Sequence, residues 1–387
     1  MTEPPAPELL DWLALSLVPN LGPRLTAALL RRFGSPAAIR RSSPSQLRTV
    51  PHVGEKLAAD FARCLRDLDL TAEVARLERH RVGLLGWGLP GYPPTLTHTF
   101  DPPHLLYVRG ALEGRDSNAV AIVGSRKMTP YGRRMTERLA AGLARAGVTV
   151  VSGLARGIDG VAHKAALEAG GRTVAVLAGG LSRIYPPEHA DLADAVAASG
   201  ALLTETPLTM SPQPGMFPAR NRIISGLSRG VLIVEAGEKS GALITAEHAA
   251  EQGREVFALP GPADSEASAG CLRLLRDGAR LVRDADDILE DLRGIAPLTD
   301  TPSDPGPRDF LSPAGRGESP PTALPTEPPG LDPTQRRIWE LLAPGPRHID
   351  VMARELELPV AQLNGLLMLL EMRKVVRRLP GNQYERR

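Results

Sequence analysis

The chain lacks what a metalloprotein, a disulfide-stapled domain or a membrane protein needs. Its 387 residues include two cysteines, Cys64 and Cys271, too few and too far apart in sequence for a zinc site, so each reads as a buried thiol. No uninterrupted apolar run reaches the roughly 18 residues of a membrane span, and residues 1–7 are acidic and proline-rich rather than basic and then apolar like a signal peptide. The expected location is therefore cytoplasmic, with no membrane partner. An excess of one charge is also missing. With 46 Lys and Arg against 44 Asp and Glu the net charge is +2, so a polyanion site must be a local concentration of basic groups.

Enzyme and cofactor signatures are equally scarce. Gly237-Glu238-Lys239-Ser240 resembles the tail of an ATP-binding loop, but Glu238 stands where glycine is required and the upstream glycine is absent. Gly153, Gly157 and Gly160 do not have dinucleotide-fingerprint spacing, and there is no nucleophile elbow or two-histidine metal motif. The expectation is a chain that is not an enzyme and holds no cofactor or metal. Lys239 and Ser240 remain candidate anion ligands at a strand end.

What is present falls into four segments. Residues 1–80 are helical and arginine-rich, broken at residues 19–23 and 50–54 by glycine turns that each precede an amphipathic helix. These pairs resemble helix-hairpin-helix motifs, which face phosphate with backbone amides, but a small helical packing or interaction domain is the preferred reading. From 81 to 295, short apolar strands (82–85, 119–123, 148–152, 173–177, 201–204, 231–235, 255–259 and 280–282) alternate with helices near 131–146, 160–169, 189–199, 222–226, 243–252 and 271–276. That alternation predicts an α/β fold with a doubly wound, mostly parallel sheet. Residues 296–330, dominated by Pro, Ser, Thr, Gly and acids, read as a tether. Residues 331–387 read as a winged helix: helices at 332–342, 349–355 and 360–372, then a hairpin over Pro380-Gly381-Asn382. The helix at 360–370 is mostly apolar, with Gln362 and Asn364 as its polar side chains, so protein contact is favoured over DNA contact.

Three strand ends hold glycine, arginine and amide groups. In open α/β sheets the loops beyond the carboxyl ends of the strands form the ligand crevice, so these residues point to an extended anion. In Gly124-Ser125-Arg126 the glycine leaves room for a ligand, the serine offers a hydroxyl and an amide, and the arginine offers a fork suited to phosphate. A strand-end turn whose arginine pairs with a nearby acid is the competing reading. Ser152 and Gly153 again place small residues after a strand, permitting close approach of a backbone or base. Asp159 reads as a helix N-cap rather than a catalytic acid, and His163 as a tether for the loop. Phe217-Pro218 precedes Arg220-Asn221-Arg222, an aromatic face beside guanidinium and amide groups, which suits a single-stranded base and its phosphates. Alternatively these arginines hold acids such as Glu205 or Glu235; one arginine is expected to be structural and one to face the ligand.

Read together, Tyr92-Pro93-Pro94, Asp101-Pro102-Pro103, Leu106 to Gly110, Ile122 to Arg126, Ser152 to Asp159, Tyr185-Pro186, Phe217 to Arg222, Glu235-Ala236, Ser240-Gly241, Thr245-Ala246 and Pro260-Gly261 resemble the DNA-processing protein A (DprA/Smf) family in order and spacing. The match runs from about Tyr92 to Leu289. The resemblance implies an extended Rossmann-like core in a homodimeric, non-enzymatic protein that binds single-stranded DNA and loads RecA onto it, protecting incoming DNA during natural transformation. It places DNA contacts on Gly124, Ser125 and Arg126, on Phe217 as the stacking aromatic, and on Arg220 and Asn221. Family members often carry a lysine just before that aromatic, whereas Gln213-Pro214-Gly215-Met216 has none. The runner-up is a nucleotide hydrolase of phosphoribohydrolase type, with Glu205 or Glu235 as its acid. A third reading, a winged-helix regulator, would need duplex binding through residues 360–378.

Overall fold

The structure, a computed structural model, describes residues 6–293 except 20 and 98, and residues 332–386 except 343–346, 357, 359, 373–374 and 380–382. Two compact units divide the chain, Met1–Gly306 and Pro307–Arg387.

In the first unit nine strands form one sheet: β1 (Gly83–Gly86), β2 (Leu105–Gly110), β3 (Ala119–Val123), β4 (Thr149–Ser152), β5 (Thr173–Val176), β6 (Ala201–Thr204), β7 (Gly230–Ile233), β8 (Glu255–Ala258) and β9 (Arg280–Leu281). Their order is β1-β2-β6-β5-β4-β3-β7-β8-β9. Strands β6 to β9 pair in parallel, and β2 runs against both its neighbours. The sequence reading finds every strand of this sheet except β2. That strand follows a proline-rich loop and a single helical turn, so it breaks the strand-helix alternation on which the reading depends.

Helices cover both faces. Six come first: α1 (Pro7–Ser16), α2 (Pro23–Phe33), α3 (Pro36–Arg41), α4 (Pro44–Leu47), α5 (Glu55–Asp67) and α6 (Leu70–Arg79). The others are α7 (Pro94–Thr97), α8 (Pro130–Arg145), α9 (Ile158–Glu168), α10 (Ala190–Ser199), α11 (Met216–Gly226), α12 (Gly241–Glu251), α13 (Ala269–Arg276) and α14 (Ala285–Arg293), the last unforeseen in the sequence. Burial on both faces explains why the strands are continuously apolar. Ala119, Ala121 and Val123 pack with Ile223 and Ile224 of α11 and Leu243 of α12, whereas the alternate residues Val120 and Ile122 pack with Leu139 and Leu143 of α8. The first six helices belong to this unit and share its core. Trp12, Leu13 and Leu29 share a core with Tyr107 and Leu202, Trp12 stacks on His104 at 5.5 Å, and the hydroxyls of Ser16 and Tyr107 lie 2.8 Å apart.

Helix α11 begins well before the expected residue 222. Pro218 falls in its first turn, where the missing N–H costs nothing, so the proline sits inside the helix instead of ending it. This places Phe217, Arg220 and Asn221 on one helical face at spacings of three and four, with Arg222 turned away.

The second unit holds α15 (Pro333–Leu341), β10 (Arg347–His348), α16 (Ile349–Leu356), α17 (Val360–Met372), β11 (Val376–Leu379) and β12 (Gln383–Arg386), with β12 central in a three-stranded antiparallel sheet. Strand β10 is absent from the sequence reading. Ile338, Met352, Leu363, Leu367 and Tyr384 form its core. The expected tether at 296–330 and the hairpin apex at 380–382 lie outside the described residues, as does residue 331. Among the described residues no helix is long and apolar enough to cross a membrane.

Candidate nucleic-acid interface

From β3 the chain winds one way through β4, β5 and β6, then returns to place β7 on the other side of β3. Loops leaving β3 and β7 in opposite directions open a crevice there, as at other topological switch points. A cleft of about 1000 Å³ occupies this position, and Gly124, Ser125, Arg126, Phe217, Arg220, Asn221, Lys239 and Ser240 all line it.

The Ser125 loop is held rigidly. Its N–H donates to the Glu235 carbonyl at 2.8 Å, its carbonyl accepts from Ile158 N–H at 3.2 Å, and its Oγ accepts from Lys127 N–H at 3.0 Å. The absence of a side chain at Gly124 serves packing rather than a ligand, because a Cβ there would lie 2.8 Å from Ile158 and 2.9 Å from the Glu235 carbonyl. Arg126 is exposed, with Cζ 5.0 Å from the centroid of the half-buried Phe217 ring. No carboxylate pairs with Arg126 among the described residues. A cation therefore rests beside an aromatic face, both open to the cleft.

The cleft floor is made of protein-bound groups. Arg220, only 5% exposed, donates from Nη1 to the Gly153 carbonyl at 2.7 Å and to the Val176 carbonyl, joining the ends of β4 and β5. Burial pushes its guanidinium down to about 10, and Asp159 opposes that shift. Burial raises the Asp159 carboxyl, with Arg220 pulling it back. Asp159 does not cap α9. Gly157 occupies the cap position, and Asp159 instead accepts from Gly153 N–H at 3.2 Å, holding the β4 loop. Asn221 Nδ2 donates to the Gly241 carbonyl at 3.2 Å, and Ser240 Oγ caps α12 by accepting from Ala242 N–H at 3.3 Å. Lys239 is exposed at the rim.

Three expected residues lie elsewhere. Ser152 is fully buried in β4 and donates to the Ile122 carbonyl at 2.6 Å, so its hydroxyl belongs to the sheet. Gly153 borders an adjoining groove, and a Cβ on it would lie 2.0 Å from Arg220 Nη1, so this glycine too makes room for protein. Arg222 is buried away from the cleft, 2.5 Å from Glu205 and 4.0 Å from Asp101. His163 does not tether the loop either; its Nδ1 lies 2.7 Å from Thr173 Oγ1 at the start of β5. Glu235, buried under the first turn of α8, accepts from Thr129 N–H at 2.9 Å and from the Thr129 hydroxyl.

Sequence reasoning gave no site role to Arg156, Arg183 and Tyr185. They line the adjoining groove with Arg126 and Phe217. The signal was available: β5 is followed by Ala178-Gly179-Gly180, a glycine-rich strand end like the others.

Comparison with known proteins agrees with this architecture. The family described as DNA recombination-mediator protein A matches residues 84–293, the DprA winged helix domain matches 320–382, and a SAM-like helix-hairpin-helix tandem matches 13–67. Protein Smf of Synechocystis is 36% identical over 394 residues, covering 97% of this chain and 98% of that protein. The DNA processing protein DprA of Bacillus subtilis is 46% identical over 52% of this chain and 68% of its own length. The X-ray structure of DNA processing protein A from Streptococcus pneumoniae superposes with a TM-score of 0.65 at 33% identity, covering 73% of this chain and 97% of that one. The chain belongs to the DNA recombination-mediator protein A (DprA/Smf) family.

Proposed function

We propose that the cleft grips single-stranded DNA without altering it covalently, and that the protein, as a cytoplasmic homodimer, protects incoming strands and loads RecA onto them during transformation and recombination. The observation that carries this is the Arg126 guanidinium, which pairs with no carboxylate among the described residues, against Phe217 at the switch point. An aromatic face takes any base, and a fork of N–H donors takes phosphate, so the pair suits an unpaired strand of any sequence. Family membership and the DNA-processing names of its relatives support the reading. The hydrolase alternative is weakened, because Glu205 pairs with Arg222 and Glu235 accepts from Thr129, so neither nominated acid faces the cleft.

Binding to single-stranded and duplex oligonucleotides at two salt concentrations tests the proposal. Single strands are expected to bind more tightly, with affinity falling as salt rises. Arg126→Ala is expected to lose about 1–3 kcal/mol of binding. A folded Arg126→Ala protein with unchanged affinity, or release of free base from nucleoside monophosphates, would overturn the assignment.

A further inference from the structure

We infer that the bound strand leaves Phe217 through the adjoining groove, where Tyr185 forms a second base-stacking surface and Arg183 and Arg156 meet the phosphates. This rests on the single-stranded DNA reading of the cleft. The two exits from Phe217 differ in charge. On the far side of the main cleft Glu238, Asp264 and Glu266 outnumber Lys239 and repel a phosphate chain. The adjoining groove carries Arg126, Arg156 and Arg183 and no acidic lining residue.

Its aromatic and cationic groups also form a continuous series. Arg126 Cζ lies 5.0 Å from the Phe217 centroid, the Phe217 and Tyr185 rings are 6.0 Å apart at 63°, and Arg156 Cζ lies 5.9 Å from the Tyr185 centroid. Tyr185 is 43% exposed, although an aromatic of its size is usually better covered. Arg183 is exposed and pairs with no carboxylate among the described residues. Arg156 pairs with Glu188, but both side chains are about half exposed (50% and 49%), so a phosphate can replace that partner at little cost.

The loop that carries Tyr185 is fixed in advance. Gly180 N–H donates to the Met210 carbonyl at 2.8 Å, Ser182 N–H to the Leu208 carbonyl at 3.1 Å, and Thr206 Oγ1 to the Ala178 carbonyl at 2.8 Å. A platform set before binding loses little conformational freedom when a base arrives.

The test compares a single nucleotide, 5′-dTMP, with a single-stranded oligonucleotide of roughly six nucleotides, since one base covers Phe217 and the next reaches a ring 6.0 Å away. Tyr185→Ala is expected to weaken binding of the oligonucleotide about five- to tenfold and of the nucleotide hardly at all, with Tyr185→Phe retaining wild-type affinity for both. Arg183→Ala is expected to reduce the salt dependence for the oligonucleotide by about one phosphate contact. Unchanged binding of the oligonucleotide by Tyr185→Ala, or an equal loss on both ligands, would overturn the inference while Arg126→Ala still upheld the cleft. If Arg126→Ala left both ligands unaffected, the cleft reading would fall first and this one with it.

Discussion

The arginines in the loops that flank the strands differ between the two ends of the same sheet. At the amino end Arg172, Arg229 and Arg254 each stand one residue before a strand, β5, β7 and β8. Each is bound by the protein. Arg172 donates to Asp116, to Glu113 at 3.0 Å, to the Ser199 carbonyl at 2.8 Å and to the Ala111 carbonyl. Arg229 reaches Asn118 and the Leu292 carbonyl, and Arg254 the Thr95 and Gly226 carbonyls. At the carboxyl end Arg126 and Arg183, in loops that follow strands, are exposed and pair with no carboxylate among the described residues. The arginines that precede strands stitch the loops together. Those that follow strands and reach solvent remain open to a ligand.

The largest effect should come from breaking the amino end. Arg172 and Asp116 have side chains only 9% and 10% exposed, so removing the cation leaves a carboxylate in a poorly solvated site. Arg172→Ala is expected to lower unfolding stability by about 3–5 kcal/mol in urea titration, with affinity for single-stranded DNA unchanged per folded molecule. A loss no larger than that of an exposed pair, or a direct loss of DNA affinity, would erase the distinction between the two ends.

The same end carries a smaller, pH-dependent contribution. Thr173 Oγ1 donates to the Val150 carbonyl at 2.7 Å, so His163 Nδ1 must donate to Thr173, leaving a buried Nε2 without a partner among the described residues. Burial, with His189 and Arg220 adding to it, holds the His163 pKa down to about 3. Because this lies below the unfolded value, the unfolded chain binds the extra proton. Stability is complete above about pH 6.5 and falls toward pH 3, at about 1.4 kcal/mol per unit. His104, lowered to about 4 by burial and by Arg222, acts with the same sign. Urea titrations between about pH 5 and pH 7 should show stability rising less steeply with pH in His163→Gln than in wild type, with Asp159 and Glu205, whose carboxyls burial raises, opposing the histidines in both proteins. An unchanged slope would mean that the ring is charged, or hydrated, in the folded protein.

How far this division was legible in the sequence depends on the residue. Strand and helix alternation gave the doubly wound core, and ordered blocks from Tyr92 onward gave the family. The placement of Arg126, Phe217 and Lys239 on one cleft follows from the switch-point rule once the strands are known. Ser152 was misplaced because a sequence does not separate the last residue of a strand from the first of its loop, and here the hydroxyl bonds across to β3. Arg222 was misplaced because Pro218 was read as preceding the helix, which hid the helical phase that separates it from Phe217. Gly124 and Gly153 were read as leaving room for a ligand, but protein fills the room, and what fills it, Ile158 and Arg220, comes from distant parts of the chain.

The smallest effect tests the comparison most finely. Lys239 is an exposed point charge on the loop after β7, beside Glu238, and makes no ion pair among the described residues. A lysine so placed contributes little to folding, so Lys239→Ala should unfold within about 0.5 kcal/mol of wild type. If its ammonium neutralises one phosphate, the slope of log affinity against log salt for a single strand should become shallower by about 0.7. The accompanying loss of affinity should be a few-fold at low salt and shrink as salt rises, because screening already weakens an exposed contact. Arg172→Ala, in contrast, should leave that slope untouched. Equal slopes for wild type and Lys239→Ala would place the phosphates away from the β7 loop and leave Arg126 and the adjoining groove as the cationic track.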